Sequence, residues 1–129
     1  MTRILGFACQ WCAYKAIDLA GQLKLTYPDS IRIVRVPCSG RVDAELILSA
    51  FKEGFDGVFV AGCPENECHY RCGNVYAERR VKILKSMLHS MNIEPTRLEF
   101  VGISSSDAPG FVRFARMFHE RIEKLGKRW

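Results

Sequence analysis

The stretch DGVFVAG, residues 56–62, decides the fold. It is rich in β-branched and aromatic side chains and shows no polar alternation, so it reads as a strand buried on both faces of a parallel sheet. Upstream, residues 43–53 read as a helix entered at Asp43 and ended near Gly54. IRIVRV (31–36) alternates apolar and basic residues, as a strand with one covered face does. Residues 12–26 carry helical spacing through Ala16, Leu19, Ala20 and Leu23, with Pro28 as the stop, and RILGFA (3–8) is a short first strand. Downstream, Ala77, Val81, Leu84, Leu88 and Met91 recur at helical steps behind Asn74, a residue suited to an N-cap. RLEFVGI (97–103) gives a fourth strand. Asp107 and Pro109 then open a last amphipathic helix through Phe111, Ala115, Phe118, Ile122 and Leu125. This alternation predicts one α/β domain over residues 1–129: a flavodoxin- or Rossmann-like four-stranded parallel sheet, order 2-1-3-4, with helices on both faces.

A chain of 129 residues, 48% hydrophobic and 26% charged, can bury a core without disulfide staples. No apolar run approaches the roughly 18 residues that cross a bilayer, so no membrane partner is expected. Gln10, Lys15 and Asp18 interrupt the apolar N-terminus and no small-residue cleavage site follows, which argues against a signal peptide and for the cytoplasm. The net charge of +5 is concentrated in ERRVKILK (78–85) and in residues 113–129. These runs read first as solvated helix faces and second as a docking surface for an acidic protein partner. No nucleic-acid-binding motif accompanies them.

The six cysteines are the informative residues. In GCPENECHYRCGN (62–74), Cys63, Cys68 and Cys72 crowd the loop after the third strand. Cys9 follows the first strand, Cys12 opens the first helix and Cys38 follows the second strand. Parallel strands end at one edge, where ligands of such sheets bind, so the fold brings these positions to one rim. A reducing cytoplasm disfavours disulfides and points to metal or redox chemistry. Three assignments account for the thiols. Cys9 and Cys12 form a CxxC that suits a thiol–disulfide oxidoreductase, although this leaves Cys38, Cys63 and Cys68 without a task. Cys9, Cys12, Cys63 and Cys68 suit a zinc-bound structural adaptor, although a chain of this size needs no zinc to fold. A [2Fe–2S] cluster uses four thiolates drawn from separate loops and explains more of them. A phosphatase loop is excluded because no cysteine has the required following arginine, and CQWCAY is no phosphate cradle for a flavin.

Taken together, Cys9-x-Trp-Cys12-x-Tyr14, CSGRVD (38–43), the 62–74 loop and AERR (77–80) resemble the delta (iron–sulfur) subunit of methyl-viologen-reducing hydrogenase, a family associated with heterodisulfide reductase. The resemblance covers nearly the whole chain. It implies a non-catalytic [2Fe–2S] subunit of anaerobic metabolism, including methanogenesis. Such a subunit relays electrons between hydrogenase or formate dehydrogenase subunits and the flavin subunit of heterodisulfide reductase. It also implies that Cys9, Cys12, Cys38, Cys63 and Cys68 supply the four ligands. Cys9, Cys38, Cys63 and Cys68 rank first and Cys12 is able to replace any of them; Cys72 departs from the family pattern. Around them, His69 reads as a hydrogen-bond donor or a cap, and Trp11, Tyr14 and Tyr70 as packing or cover for the cluster. Ser104–Ser106 reads as a cap for the last helix.

Overall fold

The computed structural model describes residues 2–10, 12–36, 43–62 and 73–126, with side chains in the third helix from residue 78 onward. Its strands are β1 (Ile4–Cys9), β2 (Ile31–Val36), β3 (Gly57–Gly62) and β4 (Leu98–Gly102), and its helices α1 (Ala13–Gln22), α2 (Ala44–Lys52), α3 (Gly73–Ser90) and α4 (Ala108–Leu125). The sheet is parallel throughout, in the expected order β2-β1-β3-β4. β3 is buried at every residue because it has a strand on each side and helices on each face. β2 is an edge strand, and Arg32, Val34 and Arg35 are exposed along it.

Strand alternation sorts the core into two layers. Ile4, Ala8, Ile31, Phe59 and Ala61 pack with α1 and α4, chiefly through Ala16, Ile17, Phe111, Ala115 and Phe118. Phe7, Val36, Val58, Val60 and Leu98 pack on the other face with Ile47 and Phe51 of α2 and Val81, Leu84 and Leu88 of α3. The layer under α1 and α4 is centred on Phe59. Its ring meets Phe114 and Phe118 edge-on, with centroids 5.2 and 5.8 Å away.

Two polar devices close the sheet at its N-terminal edge. The backbone amide of Arg3 donates to the carboxylate of buried Asp56 at 3.0 Å. Buried Arg97 donates to the carbonyl of Asp56 at 2.9 Å and to that of Gly126 at 2.9 Å, tying the start of β3 to the end of α4. The guanidinium is thereby hydrogen-bonded where burial would otherwise be costly.

Several boundaries differ from the expected ones. α1 stops at Gln22, well before Pro28: Lys24 takes a left-handed φ of 59° and the Leu25 amide returns to the Ala20 carbonyl at 2.9 Å. That turn ends the helix, and Leu23 is exposed. α3 begins at Gly73, so Asn74 lies within the helix and not ahead of it. Met91 follows the helix and is exposed. Arg97 ends a short 3-10 turn (Pro95–Arg97) and does not open β4. The α2 boundary holds, with the Asp43 carboxylate accepting from the Leu46 amide at 2.9 Å.

β1 carries Gly6 where the Phe59 ring crosses it, so a Cβ there would overlap the ring. Gly6→Ala is therefore expected to destabilise the protein by about 1–3 kcal/mol, the usual range for overpacking. The double variant with Phe59→Leu should cost less than the sum of the two single changes in denaturant titrations. Strict additivity would show that the two side chains do not compete for this space.

Candidate functional site

The rim at the C-terminal ends of the strands is set by hydrogen-bonded register. Cys9 is the last residue of β1 and pairs with Val36, the last residue of β2. On the other side Ala8 pairs with Ala61, so β3 reaches the level of Cys9 at Gly62. Cys63 is the next residue in the sequence, and Cys38 follows the end of β2 closely. Two contacts beyond the pairing hold this level. The Gln10 amide donates to the Val36 carbonyl at 2.8 Å, and the Ile103 amide to the Gly62 carbonyl at 2.8 Å.

Both described cysteines are buried at this rim, Cys9 at 1% exposure and Cys12 at 9%. Cys12 occupies the N-cap position of α1, and its carbonyl accepts the first helical hydrogen bond, from Ala16 at 3.0 Å. The Cys12 side chain makes no capping hydrogen bond to α1, and no acidic residue lies in the helix's first turn. The positive end of the helix dipole favours a nearby negative charge, and a thiolate carries one. Cys38, Cys63, Cys68 and Cys72, with Trp11, His69 and Tyr70, lie outside the described residues. No group of three or more metal-binding side chains occurs among the described residues. Cys9 and Cys12 are soft donors sheltered from water, one at a strand end and one at a helix start, a setting compatible with a thiolate-held cofactor.

Tyr14 is the second residue of α1 and packs partly against the core. The Arg35 guanidinium lies over its ring, 5.3 Å from the centroid. Gln10, Tyr14, Lys15, Asp18 and Arg35 line an open cleft of about 300 Å³ beside the Cys9–Cys12 turn. Sequence reading missed the cleft because Lys15, Asp18 and Arg35 look like ordinary surface charges until β2 is placed next to α1. The serines after β4 also have a different part from the expected one. The cap of α4 is Asp107, whose carboxylate accepts from the Gly110 amide at 3.0 Å, while Ser104 contributes only its carbonyl, to the Asp107 amide at 3.0 Å. Any Cβ at Gly110 would strike that carboxylate.

The family described as methyl-viologen-reducing hydrogenase, delta subunit, matches residues 4–126. Over 123 residues the chain is 46% identical to an iron-sulfur subunit of the F420-non-reducing hydrogenase of Archaeoglobus profundus, covering 95% of this chain and 90% of that protein. It is equally similar, at 46%, to the vhu iron-sulfur subunit of the F420-non-reducing hydrogenase of Methanopyrus kandleri, covering 95% and 93%. It is also 41% identical to part of the A-type subunit of the ferredoxin/F(420)H(2)-dependent CoB-CoM heterodisulfide reductase of Methanosarcina acetivorans. There the match spans 95% of this chain but 16% of the longer protein.

Burial makes a prediction about the two described thiols. In reduced, metal-free protein, site-resolved alkylation should modify Cys9 and Cys12 only as fast as the rim opens, and at full rate in denaturant. Immediate labelling of Cys9 in the folded protein would contradict its position under the sheet edge.

Proposed function

The chain belongs to the family of the methyl-viologen-reducing hydrogenase delta subunit, and on that premise we propose that it is an electron-relay subunit carrying one [2Fe–2S] cluster at the rim of its sheet. The proposed electron donor is a hydrogenase or formate dehydrogenase, and the proposed acceptor is the flavin-bearing subunit of heterodisulfide reductase. The relatives named as iron-sulfur subunits of hydrogenases and as the A-type subunit of heterodisulfide reductase support this pairing. One observation carries the reading: three adjacent parallel strands stop at residues 9, 36 and 62, and the sequence places a cysteine at or just after each stop.

Cys9, Cys12, Cys38, Cys63 and Cys68 are the proposed ligand pool for four positions. When bound, the cluster supplies one-electron redox chemistry. The chain's own residues hold the site. The sheet fixes Cys9 so that little conformational entropy is lost on ligation. The amides at the start of α1 favour negative charge. Burial of Cys9 and Cys12 keeps water from the sulfurs, which influences cluster potential. Cys72 immediately precedes Gly73 at the start of α3, and it is assigned no ligand role.

Anaerobic purification with iron, zinc and acid-labile sulfide analysis tests the cofactor. About two iron and two sulfide per chain are expected, with a paramagnetic signal after reduction. One zinc without sulfide would instead establish the adaptor, and metal-free protein with a reversible Cys9–Cys12 disulfide the thiol oxidoreductase. Within the loop, Cys63→Ala should abolish cluster assembly and Cys68→Ala should impair it severely. Cys72→Ala should leave iron content and the reduced signal nearly unchanged. The reverse pattern at Cys68 and Cys72 would mean a different ligand set.

A further inference from the structure

α3 has one apolar face more than its packing uses. Val81, Leu84 and Leu88 are buried against the sheet. Ile83 and Met87, one turn apart on another side of the helix, and Met91, just past its end, are 64%, 46% and 53% exposed. An amphipathic helix needs one apolar stripe to join a core. A second line of large apolar side chains in water marks a contact surface.

A different side of the helix is already engaged. The Lys85 ammonium meets the Glu99 carboxylate at 2.9 Å, and Arg121 of α4 meets the same oxygen at 2.9 Å. The N-terminal approach to the stripe carries Arg79, Arg80 and Lys82, with the Glu78 carboxylate 3.8 Å from Lys82 and both of those side chains largely exposed. The surface therefore runs from positive charge near residue 79 to an apolar strip ending at Met91. Its complement is an amphipathic segment with carboxylates toward one end and apolar anchors along one face. Methionine suits such a contact because its unbranched side chain adapts to the partner's shape.

We propose that this flank of α3 docks an acidic amphipathic segment of the heterodisulfide reductase A-type subunit, a surface assignment that rests on the relay reading above. The choice of occupant follows from the Methanosarcina relatives. In the heterodisulfide reductase A-type polypeptides of Methanosarcina acetivorans and Methanosarcina mazei, the counterpart of this protein is a 16% portion of the whole. A covalent link supplies there the proximity that a docking surface supplies between separate chains. α3 starts at residue 73, directly after the cysteine loop. A partner seated along α3 is thus registered against the rim by a rigid element.

The methionines provide a test without mutation. The purified chain and its cognate A-type reductase polypeptide are mixed, exposed briefly to peroxide and analysed for sulfoxide by mass spectrometry. Met87 and Met91 should be protected in the complex. Met117, 44% exposed on α4 across the sheet, should oxidise as in the chain alone. A second arm titrates binding of the Ile83→Glu/Met87→Glu variant, with circular dichroism and iron content as controls for fold and cluster. A loss of about tenfold or more in affinity is expected, with Met117→Glu unchanged. Arg79→Glu/Arg80→Glu should slow association most at low ionic strength. Complex formation with no protection of Met87 and Met91, and with unchanged affinity of the stripe variant, overturns the surface while leaving the relay intact. No complex with the reductase polypeptide at any concentration overturns the relay reading together with it. Protection that appears in the chain alone as concentration rises assigns the stripe to a second copy and also overturns the proposal.

Discussion

The site depends on the pairing of β1 with β2 on one side and β3 on the other. Parallel ladders leave no freedom in how far each strand runs relative to its neighbour, because a slip by one residue would turn every core side chain to the wrong face. With Ile4 opposite Ile31 and Gly57, the strands terminate at Cys9, Val36 and Gly62 at nearly one level. Residues far apart in the chain are thereby delivered to one rim before any cofactor contributes energy. The same pairing explains why Phe59 needs Gly6 beside it. A central strand with aromatic bulk on the α1–α4 face requires a neighbour that leaves room.

The two edges of the sheet serve different ends. At the N-terminal edge, Asp56, Arg97 and the backbone of Arg3 form a buried polar clasp that closes β3 onto the end of α4. Removing the Arg97 guanidinium would leave carbonyls without their donor, so the clasp is structural in effect. At the C-terminal rim the Gln10 and Ile103 amides bond to the last carbonyls of β2 and β3, and the Cys12 side chain makes no capping hydrogen bond to α1. The dipole of α1 favours a negative charge there.

Much of this was legible in the residues. DGVFVAG identified a doubly covered strand because a solid apolar run bounded by glycines has few other homes, and the strand order followed from the alternation of elements. Asp43 and Asp107 announced their helices because a carboxylate beside a helix start has a definite amide to accept from. What escaped reading was tertiary. Lys24 ends α1 in a left-handed turn that no glycine signals, so Pro28 looked like the terminator. Arg97 stands at the start of the run that reads as the fourth strand, yet its partners come from residues 56 and 126. Arg35 and Tyr14 meet only once β2 lies beside α1. For the site itself, the rim placement of Cys9 and Cys12 was legible from a strand end and a helix start. The membership of a four-ligand set was not, since five cysteines satisfy the same spacing argument.

The central claim is that the proposed iron–sulfur cluster sits where β2, β1 and β3 leave the sheet. An anomalous difference map at the iron edge, from crystals of anaerobically purified protein, tests it most directly. The account predicts one compact two-iron peak at the C-terminal rim, next to the sulfurs of four cysteines from the pool Cys9, Cys12, Cys38, Cys63 and Cys68. Iron located away from the strand ends, or a single zinc peak at the rim with no iron, would contradict it.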